Sequence, residues 1–187
     1  MKNKNLVIAA LCVAIGIMAV AYAAFSTTLT VNGTLTQIGT FGVQITGCSC
    51  TKTAGITGAT APTGSCTPSG QTQSTSATVT AGFVQPGDTV TCTFNVVNTG
   101  NLKAKASGDA TCTSSASVTT SESTSAAKPF YYTKSWKKTA LTKSGTTGAT
   151  ATGDITITMK YSKNISTQPT ATSGSVSCTF PYTQDIQ

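Results

Sequence analysis

Four segments of the chain alternate apolar and polar residues with a period of two. Phe41, Val43 and Ile45 interleave with Thr40, Gly42, Gln44 and Thr46, and Val90, Cys92, Phe94 and Val96 interleave with Thr89, Thr91, Thr93 and Asn95. Ile155, Ile157, Met159 and Tyr161 alternate with Thr156, Thr158 and Lys160, and Val176, Cys178, Phe180 and Tyr182 repeat the pattern near the end. Successive side chains of a strand point to opposite faces, so each segment predicts an antiparallel strand with one buried and one wet side. Weaker strands are predicted at 27–36, 77–84, 102–107 and 130–136, the last with a suggested continuation through 138–143.

Turn residues divide these elements. Pro86-Gly87-Asp88 precedes the second strong strand and Asn98-Thr99-Gly100-Asn101 follows it. Eight or nine strands so punctuated predict an all-β fold, a two-sheet antiparallel sandwich of jelly-roll type. Residues 47–76, rich in Cys, Gly, Pro, Ser and Thr, and residues 111–127, nearly all Ser, Thr and Ala, show no periodicity and are expected to be long surface loops.

The amino terminus reads differently. Lys2 and Lys4 precede an uncharged apolar stretch, residues 6–25, which ends in Ala21-Tyr22-Ala23. Basic, apolar and small-x-small regions in that order describe a signal peptide cut between Ala23 and Ala24, leaving a single domain over 24–187. The same stretch is long enough to span a bilayer uncut. Either outcome exports the domain and confines membrane contact to this segment.

Composition then closes several doors. The chain holds 40 Thr and 20 Ser, no His and no Arg, and its acids are Asp88, Asp109, Glu122, Asp154 and Asp185. Without His there is no imidazole base, ligand or neutral-pH switch. No two acids are placed to form a glycosidase pair, so no enzyme activity, catalytic residue or cofactor is expected. The net charge of +7 rests on Lys alone, in no dense run, so nucleic acid is not an expected partner.

Of the seven cysteines, Cys12 lies inside the apolar signal stretch; the other six, Cys48, Cys50, Cys66, Cys92, Cys112 and Cys178, are an even set in a chain read as exported, the setting in which disulfides are the default. The C-x-C at Cys48 and Cys50 with Cys66 lacks paired C-x-x-C spacing, so no metal site is expected. Six cysteines allow 15 pairings, and the sequence does not choose. Cys92 and Cys178 both occupy inward positions; burial is expected for both, and pairing with each other is the favoured bridge, with the other four stapling the long loops. Asp88 is read as a turn residue bonding nearby amides, and Asp154 after Gly153 likewise. Phe130, Tyr131, Tyr132 and Trp136 with Lys134, Lys137 and Lys138 make an aromatic-basic cluster, read as sheet packing in preference to a sugar-stacking surface.

Several of these residues carry a resemblance. Ala21-Tyr22-Ala23-Ala24-Phe25-Ser26 resembles the signal junction of the TasA and camelysin group of secreted Gram-positive matrix proteins. Ile38-Gly39-Thr40-Phe41-Gly42-Val43 is similar to that group's Gly-Thr-aromatic strand, and Val84-Gln85-Pro86-Gly87-Asp88 through Phe94 to Asn98-Thr99-Gly100 resembles its most recognisable motif. The cysteines and the two low-complexity stretches depart from the better-known members. The resemblance implies a jelly-roll subunit of biofilm-matrix fibres that lends a terminal strand to a neighbour. A metalloprotease label attached to some members does not carry over to a chain without His. The donor expected here is the segment 24–36, where Phe25, Leu29, Val31 and Leu35 share one parity. The expected partners are other copies of the chain, with cell-wall or matrix polymers second. The alternative function is a monomeric cell-surface adhesion or carbohydrate-binding module.

Overall fold

The strands found by period-two alternation all form, and they come with others that alternation did not reveal. The computed structural model describes residues 39–69, 74–167 and 169–186, and the contact pattern makes 38–187 one compact unit. The predicted signal segment, its cleavage site at Ala23 and Ala24, and the strand over 27–36 lie outside the described residues. Ten strands follow in order: β1 (Val43–Thr53), β2 (Thr63–Ser69), β3 (Ser74–Gly82), β4 (Thr89–Asn98), β5 (Ala104–Ala106), β6 (Thr111–Ser114), β7 (Val118–Thr119), β8 (Phe130–Trp136), β9 (Thr150–Tyr161) and β10 (Ser173–Gln184).

They build two sheets. The first runs β1-β4-β9-β8-β7; the second runs β2-β3-β10-β5, with β6 also pairing β10. Every pairing is antiparallel except β7 with β8. The inward residues of β4 (Val90, Cys92, Phe94, Val96) and of β9 (Ile155, Ile157, Met159) meet Val176, Cys178 and Phe180 of β10 in one buried cluster. Phe83, Phe130 and Tyr161 pack ring against ring, with Phe83 and Phe130 centroids 4.7 Å apart. Such aromatic contacts add to what area burial alone supplies.

Two irregularities decide which side chains face the core. In β1 the register shifts between Ile45 and Gly47, one residue of β1 being left over against β4. Before it, Val43 and Ile45 point inward; after it the parity reverses, and Cys48, Cys50 and Lys52 stand opposite the inward Phe94, Cys92 and Val90. A bulge of this kind inserts an unpaired residue and re-aims the strand. In β9, Phe94 pairs with Ile155 but Val96 pairs with Ala151, and Gly153 sits between them at φ 59° with its N–H donated to Asn95 Oδ1 at 2.8 Å.

The expected loops therefore need correction. Residues 47–76 contain most of β1 and all of β2, hidden because the bulge breaks the alternation and because β2 turns small side chains inward. A Cβ on Gly64 would lie 2.5 Å from Val90 Cγ1, so β2 packs over β4 through a missing side chain. Residues 111–127 contain β6 and β7, whose inward residues are only Cys112 and Val118. The suggested continuation through 138–143 is not a strand. Lys138 takes φ 57°, which ends β8, and Leu141 forms an isolated bridge with Ala104.

Candidate functional site

The outer faces of both sheets are ladders of hydroxyls. In the first sheet, strand pairing aligns Ser49, Thr93, Thr156 and Ser135 in one rank and Thr51, Thr91, Thr158 and Thr133 in the next. A third rank ends the pattern with Thr53, Thr89, Lys160 and Tyr131. Thr91 and Thr158 hydroxyls lie 3.2 Å apart, and those of Ser49 and Thr93 3.1 Å apart. The second sheet repeats the arrangement with Thr67, Thr78, Ser177 and Thr113. Cross-strand hydroxyl pairs of this kind stabilise a sheet modestly.

The edges of the first sheet are unequal. Among the described residues β1 pairs only with β4. At the far side β7 flanks Phe130 and Tyr131 alone, so Tyr132, Thr133, Lys134, Ser135 and Trp136 have no strand partner there among the described residues. Two lysines bridge this side: the Lys134 ammonium donates to the Ala110 carbonyl, and Lys138 donates to Asp109 at 2.8 Å while standing 5.4 Å from the Trp136 ring. That bond and charge hold the Asp109 carboxyl below its usual range. Charged side chains at an exposed edge discourage unspecific strand pairing.

Asp88 behaves as the sequence reading expected and reaches further. It is fully buried, and it accepts from Val84 N–H (2.8 Å), Gln85 N–H (3.0 Å) and Gly55 N–H (2.8 Å). Pro86 and Gly87 (φ 91°) occupy the middle of the turn that Asp88 N–H closes onto Gln85 O, the arrangement of a type II turn. Asn98 does the same for its loop: its amide donates to Leu102 O and Thr142 O and its oxygen accepts from Gly100 N–H.

Asp154 is a correction. It lies inside β9 beside the bulge, 1% exposed, and serves no local turn. Its carboxylate accepts from the Thr139 N–H and hydroxyl and from the Tyr182 hydroxyl at 3.2 Å. Tyr182 in turn accepts from Trp136 Nε1 at 3.0 Å. Burial pushes the Tyr182 phenol well above its ordinary value; the Trp136 bond opposes this and the Asp154 charge adds to it. The link is invisible in the sequence because it joins β8, β9 and β10 across the gap between sheets.

The aromatic-basic cluster is divided by strand parity. Phe130 and Tyr132 enter the core, and Trp136 packs edge-on against Phe180 and Tyr182, both centroids 5.4 Å away. Tyr131 alone faces outward, with Lys160 5.9 Å from its ring. Around it lies a hollow lined by Gly87, Thr89, Glu122, Tyr131, Lys160 and Lys163.

The six cysteines form three disulfides, and the favoured Cys92 to Cys178 bridge is not among them. The bonds are Cys48–Cys66, Cys50–Cys92 and Cys112–Cys178. Both Cys92 and Cys178 are fully buried, as expected. Each instead bonds the residue directly opposite on its own sheet neighbour, Cys50 on β1 and Cys112 on β6. Only Cys48–Cys66 crosses between sheets, tying β1 to β2. Disulfides persist in oxidising environments, so these three point to one. The four donor-strand anchors, Phe25, Leu29, Val31 and Leu35, lie outside the described residues. Comparison of the chain with protein-family models, with characterised proteins and with solved structures finds no match.

Proposed function

We propose that the chain is an exported structural subunit of an extracellular or cell-surface fibre of the biofilm-matrix kind, a jelly-roll sandwich that assembles by donating its N-terminal strand to a neighbouring copy. The observation that carries this reading is the edge of β8 from Tyr132 to Trp136, which no strand covers among the described residues because β7 stops after two residues. A donated strand extends a sheet through main-chain bonds, and its alternating side chains fix the register. Phe25, Leu29, Val31 and Leu35 supply one apolar face for that purpose, ahead of β1 in the chain. Lys134 and Lys138 guard the edge in the single copy, which favours a specific donor over random edge pairing.

Three disulfides and hydroxyl-covered outer faces suit a subunit that must persist outside the cell. The carbohydrate-module alternative draws less support, because Phe130 and Tyr132 are buried and Trp136, half-buried, packs edge-on against Phe180 and Tyr182. Deleting residues 24–31 tests the proposal. The variant should unfold cooperatively and sediment as a monomer, while the parent gives regular filaments in negative stain. Filaments of normal length from the truncated chain would overturn it.

A further inference from the structure

Two disulfides of this protein stand side by side. The Sγ atoms of Cys50, Cys66 and Cys92 all lie within 4.8 Å of one another, although Cys66 is bonded to Cys48 and the other two to each other. The cause is the β1 bulge, which turns both Cys48 and Cys50 toward the core, and Gly64, which lets β2 settle over Val90 so that Cys66 comes down beside Cys92 two residues along each strand. Cys48, Cys50 and Cys66 are partly exposed, whereas Cys92 is fully buried.

We propose that Cys48 is a covalent attachment site for an external thiol, made durable by a disulfide relay through Cys66. A thiolate R–S⁻ attacks Cys48 Sγ; the R–S–Cys48 bond forms, the Cys48–Cys66 bond breaks, and Cys66 leaves as a thiolate. Cys66 then attacks Cys92 Sγ, forming Cys66–Cys92 and breaking Cys50–Cys92. Cys50 leaves with the electron pair and takes a proton from solvent. The sum is one external thiol consumed and one protein thiol formed, at Cys50, with no oxidant needed. Exchange proceeds through such thiolate attacks, and the better leaving group departs faster. Of the two residues of that bond, Cys50 is partly exposed and Cys92 fully buried, so a departing charge is better hydrated on Cys50 than on Cys92.

The relay explains why the adduct would last. In an ordinary exposed disulfide the released cysteine remains beside the mixed disulfide and expels the newcomer. Here Cys66 is consumed in a new bond. Cys50 cannot take its place, because side chains two apart on one strand are separated by about 6.6 Å, while a disulfide needs Cβ atoms about 4 Å apart. The new Cys66–Cys92 bond joins β2 to β4, and so still links the two sheets.

The test uses the full chain with Cys12→Ser, leaving six cysteines. The oxidised protein is incubated at about pH 8 with glutathione and, separately, with a cysteine-bearing octapeptide. It is then blocked with N-ethylmaleimide in the folded state and mapped without reduction. The expected map shows the added thiol on Cys48, a Cys66–Cys92 link, maleimide on Cys50 and Cys112–Cys178 intact. Adduct with glutathione alone means that only small thiols reach the site, and adduct with both means that a protein thiol does too; either supports the proposal. A companion variant, Cys50→Ala with Cys92→Ala, keeps Cys48–Cys66 but has no relay. Its adduct yield should fall about tenfold, because the tethered Cys66 competes at millimolar or higher effective concentration. Three results would overturn the proposal: both original disulfides unchanged, an adduct on Cys66, or an adduct on Cys48 with Cys50–Cys92 intact and maleimide on Cys66. The mapping of the parent decides even if the companion variant does not fold.

Discussion

Replacing Tyr182 by Phe removes one hydroxyl from the buried link between the sheets. Tyr182 is 6% exposed; its oxygen accepts from Trp136 Nε1 at 3.0 Å and donates to Asp154 Oδ2 at 3.2 Å. Losing the donor to a buried carboxylate costs about 1.5–3 kcal/mol, and leaving the indole N–H unpaired costs about 1–3 kcal/mol. The two losses share one network and do not simply add, so the expected destabilisation at neutral pH is about 3 kcal/mol. Trp136 is the single tryptophan, so its fluorescence follows urea unfolding directly, in the absence of reductant. The pH dependence supplies a second signature. Burial raises the phenol pKa above its unfolded value of about 10. The folded chain therefore keeps this proton after the unfolded chain has released it. Stability from this group is complete below about pH 10 and declines above it by about 1.4 kcal/mol per pH unit. Tyr182→Phe lacks the titration, so the gap between parent and variant should narrow from pH 10 upward. A gap under about 1 kcal/mol at pH 7, or one that widens in alkali, would refute the reasoning.

Three further outcomes follow from the geometry. Asp88→Asn replaces an oxygen that receives backbone N–H groups by an amide, and should cost about 3 kcal/mol in urea unfolding; a neutral result would mean that the turn does not depend on the carboxylate. Gly55→Ala should cost more than Gly174→Ala, about 3 against 1–2 kcal/mol, because the Gly55 methyl would meet main-chain atoms (Pro86 O at 2.3 Å, Gly87 C at 2.6 Å) while the Gly174 methyl meets only side-chain atoms of Val118, Met159 and Phe130, which shift at less cost than main chain; thermal denaturation of both variants gives the ranking. Joint substitution Cys112→Ala and Cys178→Ala opens a loop of 66 residues and should lower stability by up to about 4 kcal/mol in the chain-entropy model, with the amides of β6 gaining hydrogen-exchange rate first; unchanged exchange in β6 would contradict that order.

Much of the fold was legible because one physical rule wrote it. Where a strand has one buried and one wet face, burial forces alternation, and β4, β9, β10 and the start of β1 display it in plain sequence. Asp88 was legible too, since its role is set by residues three and four positions away, Gly55 being the one distant partner. β2 was not, because Gly64 and Cys66 fill a space that Val90 and Cys92 have already narrowed, and small residues leave no hydrophobic pattern. The disulfide pairing depended on which strands become neighbours and on a single bulge in β1; Cys92 and Cys178 share an inward parity, but they belong to different sheets and each has a cysteine directly across its own ladder. Asp154 looked like a turn residue because Gly153 precedes it, and only the packing of β8 and β10 against β9 gave its carboxylate Tyr182 and Thr139. Local periodicity and turn chemistry are properties of adjacent residues, so the sequence carries them openly. Disulfide partners, buried polar links and open edges depend on strand order, which comes into being only when the two sheets close on one another.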